Sequence, residues 1–451
     1  MNRKYLWPIV GLVSVVILFF IWGRLFSPTR IAFVHYQVIS LGQISKANTN
    51  PFIKVKDVGT DEIKRLSGFD MVIIDAMGLR INEEQRETLL KISQKVPVLS
   101  ITATNPANDI VSVDSAQVGI LKSYLYSGGR KNYHSMLEYV RKYIDKKKIY
   151  TEEPSEPVPA ANNMIYHPDV ENAENEDLGF DSVAGYNAFL KKNKLWKEAA
   201  PRVVLTGTMG DPEDLIKELE NTGNVVYPVR HLHKAIMEKR LDTIAPSLVI
   251  NMAHGRLGDM VVGELKRRNI PLVCPLNVNR SQESWEADKM GMSGGFLSQS
   301  IATPELDGAL RPFVLFGYRT DKDGLPEVYA MPERLDVFVK NIDNYLSLKS
   351  KANADKKIAI YYFKGPGLNN MVAGGMEVGP SLFNLLKRLK AEGYKVDGLP
   401  STSKNLEKLI QRQGAIFGGY AEGAIAEYIK NGNPELISKE DYESWVAKCL
   451  R

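Results

Sequence analysis

From Arg30 onward, short and wholly apolar runs alternate with stretches whose apolar residues recur every three or four positions. Ile31 to Val34, Met71 to Ile74 and Val98 to Ile101 are runs of the first kind, and Glu83 to Lys95, with Leu89, Leu90 and Ile92 on one side, is of the second. Unbroken apolar runs suit strands buried on both faces, so the alternation predicts a parallel sheet packed against helices over residues 30–150. The same rhythm resumes at Val203 to Leu205. It continues through a helix near Pro212 to Glu220, the runs Val225 to Tyr227 and Leu248 to Ile250, a helix around Asp259 to Arg268, and Leu272 to Cys274. A helix at Leu335 to Leu348 closes this second α/β unit, which spans 201–348.

Between these units, Thr151 to Asp177 carries eight carboxylates and four prolines with no Lys or Arg. Residues 151–200 are therefore expected to form an acidic, solvated linker, with Met164 to Asp169 an extended piece laid on a neighbouring domain. A second linker, 349–356, is lysine-bearing and lacks large apolar residues. It leads into a third α/β domain, 357–451, where a strand at Ile358 to Phe363 enters a glycine-rich loop, Lys364 to Pro380. Leu382, Leu385, Leu386 and Leu389 then mark one helix face, with Pro380 suited to its start and Gly393 to its end. Open α/β sheets place ligands beyond the carboxyl ends of their strands, so this loop is a candidate binding loop.

Leu6 to Gly23 has no charged residue and would make a helix of about 27 Å, near the thickness of a bilayer core. Trp7 and Trp22 stand near its ends, and Phe26 to Thr29 makes a poor cleavage site. Residues 1–29 thus read as an uncleaved anchor. Arg3 and Lys4 favour a cytoplasmic tail and a periplasmic body at the inner membrane, while Arg24 and Arg30 on the other flank weigh against that orientation. The expected fold is α/β: several Rossmann-like or flavodoxin-like parallel-sheet domains after one transmembrane helix.

Composition narrows the function classes only a little. A chain of 451 residues with 44% hydrophobic content can bury several cores. Its net charge of +5 is small for that length, and no cluster of Lys and Arg interleaved with aromatics points to nucleic acid. Cys274 and Cys449 imply no disulfide framework; Val273-Cys274-Pro275 reads as a strand end rather than a haem thiolate.

The wording from Lys356 to Val396, KKIAIYYFKGPGLNNMVAGGMEVGPSLFNLLKRLKAEGYKV, resembles a signature of the CobN/magnesium-chelatase large-subunit family. YLYSGGRKNYHSMLEYV from Tyr124, MIYHPD from Met164, NIPLVCPLNVNRSQESWEADKMGMS from Asn269 and IATPELDGALRPFVLFG from Ile301 resemble it in the same order. The resemblance implies a tetrapyrrole chelatase subunit, cobaltochelatase-like, that binds a porphyrin or corrin between α/β domains. Cobalt insertion is one outcome, and iron removal in a membrane-anchored haem-utilisation branch is the other. Haem or a cobalt-free corrin would be the ligand and Co or Fe the metal, with ATP hydrolysed by separate AAA+ subunits. A membrane transporter is a further expected partner. The family also carries an HGTHG…E motif that this sequence lacks; the expectation is either a truncated product or a non-catalytic tetrapyrrole or cobamide-binding module.

Such chemistry needs a group to move pyrrole protons, a metal ligand, and cations for the ring's carboxylates. His254, in the loop after the run ending at Ile250, is the candidate catalytic residue and a candidate metal ligand, with Arg256 beside it to hold a carboxylate. His231 and His233 form a candidate pair for metal, against the reading of a solvated first helical turn. Glu283 and Trp285, followed by Gly294-Gly295, either wall a pocket for a flat ring or belong to a helix anchored by the indole. In the glycine-rich loop Asn369, Asn370 and Glu377 can meet a ligand edge. That loop lacks the Lys followed by Ser/Thr of a nucleotide P-loop, so no ATP is expected on this chain. His35 and His167 stay open between structural and functional roles.

Overall fold

The computed structural model describes residues 26–159, 164–171, 179–321, 324–361, 374–413 and 436–449, with single positions at 23, 426, 429 and 430. The chain divides into two compact units, Met1–Leu346 and Ser347–Arg451.

The first unit contains two sheets. The first has four parallel strands, β1 (Thr29–Val34), β2 (Ile53–Val58), β3 (Met71–Asp75) and β4 (Val98–Ile101), in the order β2-β1-β3-β4. Helices α1 (Val38–Ala47), α2 (Glu83–Ser93), α3 (Ser115–Ser127) and α4 (Arg130–Tyr139) pack around it. Core residues fill both faces, Phe33 and Ile73 on one and Val34 and Ile74 on the other, which is why these strands read as unbroken apolar runs. A capping box starts α2: Asn82 accepts from the Gln85 N–H at 2.9 Å and the Gln85 side chain accepts from the Asn82 N–H at 2.8 Å. Behind the sheet Arg141 is fully buried and donates to the carbonyls of Phe52 and Ile149 and to Thr29 Oγ1, at 2.9–3.1 Å. Burial lowers its pKa, against the pull of Asp145 and Glu138.

The second sheet has six strands in the order β10-β9-β8-β7-β5-β6. These are β5 (Arg202–Thr206), β6 (Val225–Pro228), β7 (Leu248–Asn251), β8 (Leu272–Ser281), β9 (Ala309–Thr320) and β10 (Pro326–Ala330). All pairings are parallel except the β9–β10 hairpin. Its helices include α5 (Val183–Lys192), α6 (Pro212–Asn221), α7 (Leu232–Met237), α8 (Asp259–Arg268), α9 (Gln282–Ala287) and α10 (Pro332–Ser350). The hairpin docks on α1. A Cβ on Gly42 would lie 3.3 Å from Glu327 Cβ, Ser45 bonds Asp321, and Leu325 is buried in the core of the first sheet. In return Val38 and Ile39 pack against the second sheet's core.

The solvated linker expected at 151–200 is corrected in its described parts. Backbone atoms at 155 and 158 are tied to the first sheet's helices by Tyr124, Ser135 and Asn132. Met164 and Ile165 are buried, and Ile165 bridges both Phe180 and Val229. Val183, Tyr186 and Leu190 on α5 enter the second sheet's core. Glu152, Glu153, Glu156 and Asp169 are exposed, while the apolar stripe of α5, spaced three and four apart, turns inward.

In the second unit α11 (Val378–Ala391), α12 (Ser403–Gln413) and α13 (Lys439–Cys449) are helices, α11 packing against α12 with Leu406 buried. Gly393 takes φ +87° and its N–H donates to Lys390 O at 3.1 Å, closing α11 as its position predicts. Residues 358–361, where a strand is expected, lie exposed and outside any strand. Asn369 and Asn370 lie outside the described residues, as does the expected anchor helix up to Trp22. Among the described residues no helix is long and apolar enough to cross a membrane.

Candidate functional site

Each sheet of the first unit has a switch point, where the chain leaves one strand for a neighbour on one side and returns to the other. In the second sheet it falls between β5 and β7, whose following loops diverge there. Gly207 after β5 takes φ +92°, and a Cβ on it would lie 2.5–2.8 Å from the Met252 backbone after β7. Only glycine fits that approach. Met252 N–H donates to Thr206 O and Met209 N–H to Met252 O, both at 2.7 Å, while Asn277 Nδ2 donates to Met209 O at 2.8 Å. The loop after β5 is thereby pinned where it delivers Asp211, whose side chain accepts from Glu213 N–H at 3.1 Å and caps α6.

This pinned loop floors a cleft of 510 Å3 whose other walls come from α1, the α3–α4 junction and the chain after β6. Lys46, Arg130, Arg230 and His231 line it together with Asp211, Glu213 and Glu327. Lys46 Nζ lies 2.8 Å from Asp211 Oδ2 and 3.9 Å from Glu213 Oε2. Burial works to lower the Lys46 pKa, but Asp211, then Glu213 and Glu327, hold it above its ordinary value. The Asp214 carboxyl is pushed up, first by burial and then by Asp211 and Glu213. The Arg230 guanidinium lies 4.8 Å from the Tyr166 ring centroid. At the α3–α4 junction Gly128 and Gly129 take φ +60° and +83°, and Asn132 Nδ2 donates to Gly128 O at 2.7 Å, which sets Arg130 at the first turn of α4. Asp211 puts a carboxylate on the first turn of α6, the place a phosphate takes in a P-loop. The cleft thus presents a ligand with a mixed lining of cations and carboxylates, drawn from both sheets' domains.

The residues singled out in the sequence are spread more widely. His231 lines the cleft as the residue before α7; His233 is exposed in that helix's first turn. Side chains two apart at a helix start diverge, and among the described residues no three His, Cys, Asp or Glu converge as a metal site. The expected imidazole pair is therefore not assembled. His254 is exposed in the loop after β7. Arg256 in the same loop already bonds Asp307, and Asp259 at 3.1 Å, so its fork holds protein carboxylates rather than an open place for a ligand's. Glu283 and Trp285 lie on α9, which buries none of its residues, so the indole is not the buried anchor of the helical alternative; the Arg334 guanidinium lies 4.8 Å from the Trp285 ring centroid and 4.5 Å from that of Phe313. Burial lowers the Arg334 pKa, against the pull of Glu286. Glu377 is the exposed residue preceding α11 in the second unit. The Cys274 thiol is pushed up to about 12 by burial, which disfavours a thiolate ligand.

His167 is structural. It is fully buried, accepts from Asp169 N–H through Nδ1 at 3.2 Å, and donates from Nε2 to Glu220 at 3.1 Å. Lys46, Arg130 and Arg230 escaped the sequence reading because nothing local marks them. The glycine pair Gly207 and Gly210, between a strand and Pro212, was the available signal for the cleft floor.

Comparison with known proteins gives these features a family. The description CobN/Magnesium Chelatase matches residues 122–451. An uncharacterised protein of Methanocaldococcus jannaschii is 30% identical over 190 residues, 40% of this chain and 15% of that protein. A magnesium-chelatase subunit of Chlorobaculum parvum is 24% identical over 316 residues, 64% of this chain and 23% of that protein. The catalytic subunit of cobaltochelatase from Mycobacterium tuberculosis shares the fold, with a TM-score of 0.59 at 18% identity over 93% of this chain and 34% of that one. The chain thus spans a quarter or less of these two sequence relatives and about a third of the solved subunit. With most of its length matched, this chain belongs to the CobN/magnesium-chelatase family.

Proposed function

We propose that this chain is the ring-holding part of a chelatase-type large subunit, gripping a tetrapyrrole by its carboxylate fringe in the cleft between the two sheets' domains. The observation that carries the reading is the cleft itself: 510 Å3, within the range of small-molecule sites, at the carboxyl ends of β5 and β6, with Lys46, Arg130 and Arg230 on its walls. Membership of a chelatase family supplies the ligand class. Residues 6–23 tether the body to the inner membrane, on its periplasmic side. His254, exposed and unrestrained, exchanges protons with the pyrrole nitrogens during insertion of cobalt or removal of iron. ATP hydrolysis, where the reaction needs it, falls to separate AAA+ subunits.

The test is titration of the full chain in detergent with a metal-free dicarboxylate porphyrin and with its dimethyl ester. Binding of the free acid, weakened at least tenfold by esterification or about 1.4 kcal/mol, is the expected result. Equal affinity for the two, or no binding of either, overturns the reading.

A further inference from the structure

The amino end of the first sheet is where the uncharged run of the sequence enters the body. Gly23 closes that run and Thr29 opens β1, with five residues between them. Ser27 N–H donates to Gly23 O at 3.0 Å, so a helical turn leads up to the strand, and chain reach holds the start of β1 within about 20 Å of Gly23. Side chains from behind the sheet grip this entry. Arg141 donates to Ser27 O at 3.4 Å and Lys147 Nζ to Pro28 O at 3.2 Å. Lys147 also pairs with Asp145 at 2.7 Å, and Asp145 accepts from Thr29 Oγ1 at 2.5 Å. The Phe26 ring lies 6.1 Å from that of Tyr150, which stacks on Phe52 at 4.5 Å.

Beside this root the chain turns at residues 145–150, and the turn is held in shape. Arg141 donates to Ile149 O at 2.9 Å and Asn50 Nδ2 to Tyr150 O at 2.8 Å. Lys146 and Tyr150 both take left-handed backbone, φ +58° and +54°, which residues other than glycine seldom adopt. Lys146 and Lys148 are exposed, and among the described residues neither has an ion pair. The neighbouring acids are already spent: Asp145 on Lys147, Glu152 on His134 at 3.1 Å, and Glu153 on Lys142. Tyr150 is 59% exposed and Tyr143 40%. Helices of a parallel sheet run back against its strands, so the carboxyl end of α2 brings the exposed Lys95 to the same end of the sheet, just before β4. Ammonium groups beside a membrane segment are drawn to anionic lipid over about a Debye length, ~8–10 Å, and tyrosine is enriched at the interface.

We infer that the turn at residues 145–150 is seated on anionic phospholipid headgroups, Lys146 and Lys148 pairing with lipid phosphates and Tyr150 lying at the interface. The first sheet then stands with its amino end on the membrane. This inference rests on the reading that residues 6–23 tether the body.

The experiment embeds the full chain in lipid nanodiscs of phosphatidylcholine alone, or of phosphatidylcholine mixed with phosphatidylglycerol. Amide hydrogen exchange is followed over residues 142–151, with α6 as the reference. Exchange over the turn is expected to slow about fivefold or more in the anionic discs and to return to the zwitterionic rate at high salt. Lys146→Asn combined with Lys148→Gln, where asparagine accepts the left-handed backbone, is expected to exchange alike in both discs while α6 keeps its wild-type rate. Equal exchange of the wild type in the two lipids, or a slowing that high salt leaves intact, overturns the inference and leaves the tether standing. So does a slowing that the double variant keeps. The wild-type arms decide whether or not the variant folds. A chain that does not enter the discs, and that alkaline carbonate washes from membranes, overturns the tether and the inference together.

Discussion

The two switch points of the first unit are closed by different means. In the first sheet the gap is spanned by side chains: His35 reaches the Asp75 carbonyl and Thr102 the Asp75 carboxylate. In the second the backbones themselves meet, Gly207 lying against Met252 and exchanging hydrogen bonds through Thr206 and Met209. A side-chain closure leaves an oriented, exposed imidazole at the surface. A glycine closure leaves a smooth floor over which a cleft can form. One architecture thus yields an oriented ring in one place and a cleft in the other.

Four substitutions break or sharpen that contrast. The largest effect is expected from Arg141→Ala, which strips donors from the buried carbonyls of Phe52 and Ile149 and from Thr29 at the root of β1. Loss of about 3–5 kcal/mol, read by denaturant unfolding, is expected; a loss below about 1 kcal/mol would show that the first sheet does not depend on its polar ties. Gly207→Ala comes next. A Cβ there meets Met252 backbone at φ +92°, and about 2–3 kcal/mol should be lost together with porphyrin binding. Unchanged melting and affinity would mean the floor can shift.

Lys46→Met tests the wall that joins the two domains. Porphyrin affinity should fall about tenfold, about 1.4 kcal/mol, while stability changes by less than about 1 kcal/mol because the Lys46–Asp211 pair is half-exposed. The smallest effect belongs to Glu264 on α8, beyond the His254 loop. Hydrogen bonds from Arg267 and then Arg268 hold its carboxyl down to about 2, from 4.5. A depressed carboxylate stabilises the fold above its unfolded value and loses that contribution as pH falls through its folded value. The difference in melting between wild type and Glu264→Gln, under about 1 kcal/mol at pH 7, should therefore shrink between pH 4.5 and pH 2; a constant difference would show that the ion pairs contribute nothing.

The strands were legible because β1, β3, β5 and β7 are buried on both faces and read as unbroken apolar runs. Strand β9 was not, since its first half is mostly exposed and alternates with no clear period. Helix α5 was hidden behind the acidic stretch before it, although Val183, Tyr186 and Leu190 carry helical spacing. The cleft is legible only in part. Its glycine floor is written locally between β5 and Pro212, but Lys46, Arg130 and Arg230 come from distant segments that only the folded chain gathers. His35 likewise gains meaning from Asp75, which stands forty residues away. Polarity and spacing mark elements; convergence of elements needs the tertiary fold.

Leu325, in the turn of the hairpin that docks on α1, completes the core of a sheet whose own strands end at Ile101. On a ribosome, the amino-terminal layer would therefore emerge with a vacancy in its interior and wait for a side chain translated much later. Pausing or cleavage before that point would leave an apolar socket open to other chains, so maturation of the first half is tied to synthesis of the second.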